Sequence, residues 1–209
     1  MTVAYLVRHA QSTANAKGIL AGRMAGVDLD KTGKKQAEKL GKFLSHLDFE
    51  KVISSPLERT QQTASLLRPN DEIKLDYRIS ECDYGSWSGE KLEDLQKQDL
   101  WKVIQEEPSA VRFPDGESMN EMFDRAWSSV EFWNQEVQTN YLMVSHADVI
   151  KAIVAKALGM DLNHFQRISI RPASVTVIAF NPHPMLMLQN FSLDNIKRAP
   201  TKPLPGGGK

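Results

Sequence analysis

Val3-Ala4-Tyr5-Leu6-Val7-Arg8-His9-Ala10-Gln11-Ser12-Thr13-Ala14-Asn15 joins an apolar run directly to a cluster of polar and charged groups. Its first five residues form an apolar run, the pattern of a strand buried on both faces. A cation and an imidazole follow at once. A strand that ends in Arg8-His9 delivers both groups to its carboxyl edge, where open α/β sheets bind ligands. There an imidazole can serve as nucleophile and a guanidinium as a fixed anion clamp.

Two further apolar runs end in polar chemistry. Lys51-Val52-Ile53-Ser54 reads as a strand, and Ser55-Pro56 as an N-cap with proline at the first helical position, placing Arg59 in the first turn. Tyr141-Leu142-Met143-Val144 reads as a buried strand leading to Ser145-His146 and a helix over Val149 to Leu158, closed by Gly159. Between these, residues 10–31 read as a loop punctuated by Gly18, Gly22 and Gly26. A helix from Thr32 to His46 follows from the spacing of Ala37, Leu40, Phe43, Leu44 and Leu47. Ile73 to Asp76 is a short extended piece, and residues 80–116 are turn-rich with a helix near 91–106. Glu117 to Gln138 reads as a helix with Met119, Met122, Phe123, Ala126, Val130, Trp133 and Val137 on one stripe. Ser174 to Phe180 and Leu186 to Phe191 form an antiparallel edge hairpin through Asn181-Pro182-His183-Pro184. Alternating strands and helices predict an α/β three-layer sandwich: a mostly parallel central sheet flanked by helices, an antiparallel edge strand and a small cap segment at 80–116. The expected organisation is one catalytic domain over 1–195 and a Pro/Gly-rich tail over 196–209, to which no function is assigned.

The 209 residues suffice for one full core. With 26 Lys+Arg against 26 Asp+Glu, the zero net charge gives no reason to expect nucleic acid or an anionic membrane as partner. No apolar run approaches the roughly 20 residues of a membrane helix, and the N-terminus lacks a secretory pattern. The lone Cys82 has no internal disulfide partner, which fits a reducing, cytoplasmic setting. A homodimer is left open.

Three strand ends bring Arg8, His9, Arg59 and His146 to one sheet edge, together with two helix N-termini. That is a site for a dianion. Phosphoryl transfer uses such a clamp because its transition state spreads charge over three equatorial oxygens. Ser12 and Asn15 add hydrogen bonds from the first loop, and nearby cations favour neutral His9, the nucleophilic form.

Arg8-His9-x-x-Ser12-x-x-Asn15 resembles the signature of the histidine phosphatase superfamily, in its phosphoglycerate-mutase-like branch. The likeness continues through Leu29, Gly33-x-x-Gln36-Ala37, Ser54-Ser55-Pro56-Leu57-x-Arg59-Thr60-x-x-Thr63-Ala64, Glu81-x-x-Tyr84-Gly85-x-Trp87-x-Gly89, Phe113-Pro114-x-Gly116-Glu117-Ser118 and Val144-Ser145-His146. The resemblance implies His9 as the residue that becomes phosphohistidine. It implies Arg8, Arg59 and His146 as phosphoryl-binding groups, Asn15 as a supporting contact and Glu81 as proton donor to the leaving alcohol. It implies no metal and no organic cofactor. Gly22 and Tyr84 complete the set as substrate-binding positions. Ala10 and Ala147 stand where the family usually has glycine, and Ala147 keeps its backbone N–H for the anion. The mutases resemble one another in a Gly-Leu-Asn-Lys run and an Arg-Arg pair. Here the run is Gly89-Glu90-Lys91-Leu92, and no Arg-Arg pair exists. Hydrolysis of a small phosphorylated metabolite, a phosphomonoester, is therefore expected, with a phosphomutase as the alternative and a non-catalytic phosphate-binding module third.

Several motifs are decoys. Asp28-Leu29-Asp30-Lys31-Thr32 mimics a haloacid-dehalogenase nucleophile but follows no apolar strand. As a calcium loop it would carry Lys39 where a bidentate Glu is required, so Asp30 reads as a helix cap. Cys82 lacks the arginine of a Cys-x5-Arg phosphatase and reads as a small packed residue. His46, His164 and His183 have no metal-ligand spacing. Trp87, Trp101, Phe113 and Met24 are placed at the pocket mouth.

Overall fold

The computed structural model describes residues 1–135, 138–180 and 182–193. The tail over 196–209, Val137 of the predicted helical stripe and Asn181 of the predicted turn lie outside the described residues. Six strands build one sheet: β1 (Thr2–Arg8), β2 (Lys51–Ser54), β3 (Ile73–Leu75), β4 (Asn140–Ser145), β5 (Val175–Phe180) and β6 (Pro184–Phe191), in the order β3-β2-β4-β1-β5-β6. The β1–β4, β2–β4 and β2–β3 pairs are parallel; β5 runs antiparallel to β1, and β6 to β5.

The apolar runs are continuous because the sheet is covered on both sides. Successive side chains of a strand point to opposite faces, and two separate apolar clusters divide them accordingly. Val7, Val52, Leu142, Val144 and Val175 pack with Ala37, Leu40, Leu44, Ala64 and Leu67 from α2 (Lys31–Leu44) and α3 (Glu58–Leu67). Leu6, Ile53, Tyr141, Met143 and Ile178 pack on the other side with α6 (Met119–Trp133) and α7 (Ala147–Ala157). After β1 the chain crosses one face through α2, and after β4 it crosses the other through α7. Neighbouring carboxyl ends whose connections diverge leave a crevice between them.

The register puts the chemistry there. Arg8 is opposite Ser145, and Ser54 is opposite Val144. The His9 and Ser55 amides continue the ladder to the carbonyls of Ser145 (2.9 Å) and Val144 (3.0 Å).

Local structure departs from expectation in four places. Residues 13–17 form a short helix, α1 (Thr13–Lys17), inside the predicted loop, because Ser12 and Asn15 close a capping box on each other. The helix after β2 starts at Glu58 with Leu57 as N-cap, not at Pro56; the Ser55 hydroxyl meets His146 at 2.8 Å and takes the Leu57 amide only at 3.5 Å. The predicted helix near 91–106 is two pieces, α4 (Leu92–Leu95) and α5 (Asp99–Glu106). Trp87, Trp101 and Phe113 do not line the pocket mouth: Trp87 stacks on Trp101 at 6.4 Å and meets Phe113 edge-on at 5.7 Å in the core beneath the cap segment. Met24 lies outside the cavity as well, its sulfur beside Gly89.

Candidate active site

At the carboxyl ends of β1, β2 and β4 lies a cavity of about 730 Å³. Arg8, His9, Ser12, Asn15, Gly22, Arg59, Glu81, Tyr84 and Ala147, all singled out in the sequence, line it. His146 does not reach the open wall. It lies behind Arg59 and Glu81, its ring 5.2 Å from that of His9.

His9 is almost wholly buried, and its Nδ1 lies 2.8 Å from the carbonyl oxygen of Ala10. A carbonyl only accepts, so Nδ1 carries the hydrogen and Nε2 keeps the lone pair. Burial, then the charges of Arg59 and Arg8, hold the imidazole pKa well below its ordinary value, so the neutral ring predominates. The loop behind it is pinned where Ala10 N–H donates to Thr63 Oγ1 at 3.1 Å. Ala10 and Ala147 both keep negative φ, so alanine fits where the family usually has glycine.

Arg8 and Arg59 supply the positive charge. Arg8 Nη1 donates to the Ile170 carbonyl at 2.8 Å, and Arg59 Nη2 to the Gly22 carbonyl at 2.7 Å. Gly22 therefore sets the clamp through its carbonyl. Arg59 Nη1 is buried with no hydrogen-bond partner among the described residues. A buried guanidinium donor left open beside a cavity is matched by an anionic oxygen. Burial lowers both guanidinium pKa values, that of Arg8 to about 10, so both stay charged at neutral pH. The first turn of α7 has no side-chain cap, and Ala147 sits on the cavity wall, which leaves helix-terminal amides for the same anion. Ser12 and Asn15 contribute less than expected. Ser12 N and Oγ both donate to Asn15 Oδ1, at 3.1 and 3.0 Å, leaving Asn15 Nδ2 as the donor on that side.

His146 links the parts. Its Nδ1 accepts from Arg59 Nη2 at 3.4 Å, so Nε2–H donates to Ser55 Oγ at 2.8 Å. Burial, with Arg59 next, holds this imidazole neutral also. Ser55 was read in the sequence only as a helix cap; its place immediately after a strand end was the available signal for its site role.

Glu81 reaches the cavity on a braced loop. Its carbonyl accepts from Arg23 Nε at 2.9 Å and Arg125 Nη2 at 3.1 Å, and Ser145 Oγ ties down the Ile79 carbonyl at 2.8 Å. Glu81 Oε1 accepts from Cys82 N–H at 3.0 Å, and Oε2 stands 3.7 Å from His146 Nδ1. Burial, then the charge of Asp148, raises its pKa to about 7 against the pull of Arg59 and Arg8. Asp83 does not share the site: it pairs with Arg23 at 3.6 Å and stays outside the cavity. Sequence reasoning missed Asp148, buried on the wall and held by Tyr84 and Lys151. A lone acidic residue in a helix's first turn reads as ordinary helix-dipole matching, which hid it.

A neutral imidazole with a free ring nitrogen, two guanidiniums and a carboxyl group that holds its proton near neutrality can carry out covalent phosphoryl transfer. The comparisons agree with that chemistry. Residues 4–189 match the family described as the histidine phosphatase superfamily, branch 1. "Phosphoserine phosphatase 1" of Hydrogenobacter thermophilus is 36% identical over 183 residues, 83% of this chain and 84% of that protein. "Probable phosphoglycerate mutase GpmB" of Erwinia tasmaniensis is 29% identical over 191 residues, 89% of this chain and 88% of that protein. In fold, the chain is similar to an Entamoeba histolytica phosphoserine phosphatase solved with 3-phosphoglyceric acid, with a TM-score of 0.84 at 24% identity, over 92% of this chain and 98% of that one.

Proposed function

The chain belongs to the histidine phosphatase superfamily, and from that premise we propose that it is a phosphatase that hydrolyses a small phosphomonoester through a phosphohistidine on His9. The observation that carries this is the meeting, in one cavity, of neutral His9 with its lone pair on Nε2 and the unmatched Arg59 Nη1.

His9 Nε2 attacks phosphorus, and the ester oxygen leaves. Arg8, Arg59 and the first amides of α7 hold the equatorial oxygens. Glu81 gives its proton to the departing alkoxide. The alcohol diffuses out, and water attacks the phosphohistidine. Ionised Glu81 takes the water proton as the N–P bond breaks, which restores the acid and releases phosphate. Metal is not required by these steps, because the clamp is built from guanidinium and amide groups.

On the leaving-group side the wall carries Gln11, Lys17, Lys91, Glu93 and Gln96. Lys17 and Lys91 suit a substrate with its own carboxylate, and phosphoserine is the first compound to test. The catalytic unit spans residues 1–195, and the lone buried Cys82 suits the cytoplasm. No helix among the described residues is long and apolar enough to cross a membrane.

The test is hydrolysis of phosphoserine and of a generic aryl phosphate with excess chelator present. Activity should persist, and His9→Ala should lower kcat at least about a thousandfold, roughly 4 kcal/mol, while abolishing acid-labile labelling by the phosphoryl group. Loss of activity on chelation that magnesium restores would refute the mechanism.

A further inference from the structure

Asp148 is a second buried carboxyl group on the cavity wall, and no step above uses it. It is the second residue of α7. Its Oδ2 accepts from the Tyr84 hydroxyl at 2.9 Å and its Oδ1 from Lys151 Nζ at 3.0 Å. Lys151 lies one helical turn further in and is not on the cavity wall. Its ammonium also donates to Gln166 Oε1 at 3.0 Å and sits over the Phe165 ring at 5.3 Å. The order from the cavity inward is thus anion first, then cation. Burial alone would raise the Asp148 pKa, but the Lys151 charge and the hydrogen bonds from Lys151 and Tyr84 outweigh it and hold the group ionised.

Glu81 enters the same wall from the braced loop. The charged and titratable groups around it come from every neighbouring element. Arg8 stands at the end of β1, Arg59 on α3, His146 and Asp148 at the junction of β4 and α7, and Tyr84 on its own loop. Two fixed cations pull the Glu81 proton off. Desolvation and one fixed anion keep it on. Without that anion only desolvation would oppose the two guanidiniums, and a larger share of the carboxyl group would reach the Michaelis complex ionised.

We propose that Asp148 is a positioning residue of charge: its fixed carboxylate keeps the proton on Glu81 at neutral pH, ready for the leaving alcohol. The same carboxylate makes ionised Glu81 a stronger base toward the water that attacks the phosphohistidine. The proposal rests on Glu81 being the acid of the proposed mechanism. Tyr84 acts here through Asp148, fixing the carboxylate on the cavity side.

The experiment is the pH dependence of kcat/KM for an alkyl phosphate and for an aryl phosphate with a good leaving group. It uses wild type, Glu81→Gln, Asp148→Asn and the double variant Asp148→Asn/Lys151→Gln, in which an amide pair replaces the buried ion pair. Wild type should lose alkyl-phosphate activity as pH rises through about 7, where the Glu81 carboxyl group gives up its proton. Asp148→Asn should move that limb down by about one unit or more, a loss of about tenfold at pH 8, with less than about twofold for the aryl phosphate. The double variant should shift it in the same direction by less, since it removes the opposing cation too. Glu81→Gln should remove the limb. A limb that survives Glu81→Gln shows that Glu81 is not the acid, which overturns the mechanism itself. A limb lost in Glu81→Gln but unmoved in a folded Asp148→Asn overturns the role of Asp148 alone, as does a raised KM with an unmoved limb. If Asp148→Asn does not fold, the double variant decides: an unmoved limb, or failure to fold, assigns the pair to stability and refutes the proposal.

Discussion

His9 and His146 are held neutral by the same two agents, burial first and the nearby guanidinium charges second. In the unfolded chain each imidazole takes up a proton as pH falls through its ordinary value of 6.5, whereas the folded chain resists until well below it. The unfolded state then binds more protons, so stability is full above pH 6.5 and is lost as pH falls. Glu81 acts in the opposite sense. Its folded pKa of about 7 exceeds the ordinary value of 4.5, so between these values the folded state holds the extra proton and stability declines as pH rises. From pH 5 to 6.5 two histidine protons oppose one glutamate proton. Stability therefore rises with pH over this range, by about 1.4 kcal/mol of unfolding free energy per pH unit near pH 5 and by progressively less toward pH 6.5, where the unfolded imidazoles are half deprotonated. Denaturant titrations in phosphate-free buffer should show this slope, and His9→Gln should nearly flatten it. An unchanged slope in His9→Gln would mean that His9 is protonated in the fold. Arg8, His9, Arg59, Glu81 and His146 were legible in the sequence as candidates because each follows a strand end or stands in a dense motif, and the structure brings them to one sheet edge. Asp148 was not, because its meaning depends on Lys151 behind it and Glu81 across from it, a relation of space with no signature in spacing.

At the scale of elements, strands were legible where they are covered on both faces, and helix bounds were not. β1 and β4 have uninterrupted apolar runs and were placed within one or two residues. The start of α3 was misplaced because a Ser-Pro pair satisfies the local rule for a helix start, while the tertiary bond from His146 claims the serine hydroxyl. The short α1 was missed because its capping box uses asparagine at the third position. The loop that carries Glu81 depends on a similar close fit. Gly85 has φ +53°, and a Cβ there would run into the Pro114 carbonyl and the Asp115–Gly116 peptide. Both contacts are backbone, which cannot swing aside as a flexible side chain can. Gly85→Ala should therefore destabilise the protein by about 2 kcal/mol or more, from positive φ and overlap together. It should also lower kcat for alkyl phosphates more than for activated aryl phosphates, because Glu81 sits four residues away on the same braced turn. Thermal unfolding together with the two rates checks this. Equal stability to wild type would show that the 113–117 loop can retreat.

For the molecule as a whole, the fold gathers its anion-binding groups at one sheet edge and leaves the fate of a transferred phosphoryl group to the cavity's far side. Retention of the dephosphorylated product long enough to be phosphorylated again requires charged groups gripping its remainder while water is kept out. Three cations outside the phosphate clamp are candidates for that grip: Arg23, Lys91 and Arg112. Arg23 is committed to the Glu81 carbonyl and to Glu117 at 3.0 Å, and Arg112 to Glu121 at 2.7 Å; neither lines the cavity. Lys91 does line it, but it is 63% exposed and within 3.5 Å of Glu93. Lys17, also on the wall, stands at the exposed end of α1. Flexible, hydrated ammonium groups of this kind attract a carboxylate and release it easily, unlike the planar fork of a buried arginine. The alcohol should escape before it reorients, and water should take the phosphoryl group. Phosphorus NMR of one reaction started with 3-phosphoglycerate follows both fates at once: inorganic phosphate should grow in, with the 2-phosphoglycerate signal at less than about a tenth of it. Lys91→Ala should raise KM for carboxylate-bearing substrates by about threefold to tenfold and leave kcat nearly unchanged, since the contact serves ground state and transition state alike. Rapid interconversion with little free phosphate, lost in Lys91→Ala, would instead make Lys91 the grip and the enzyme a mutase.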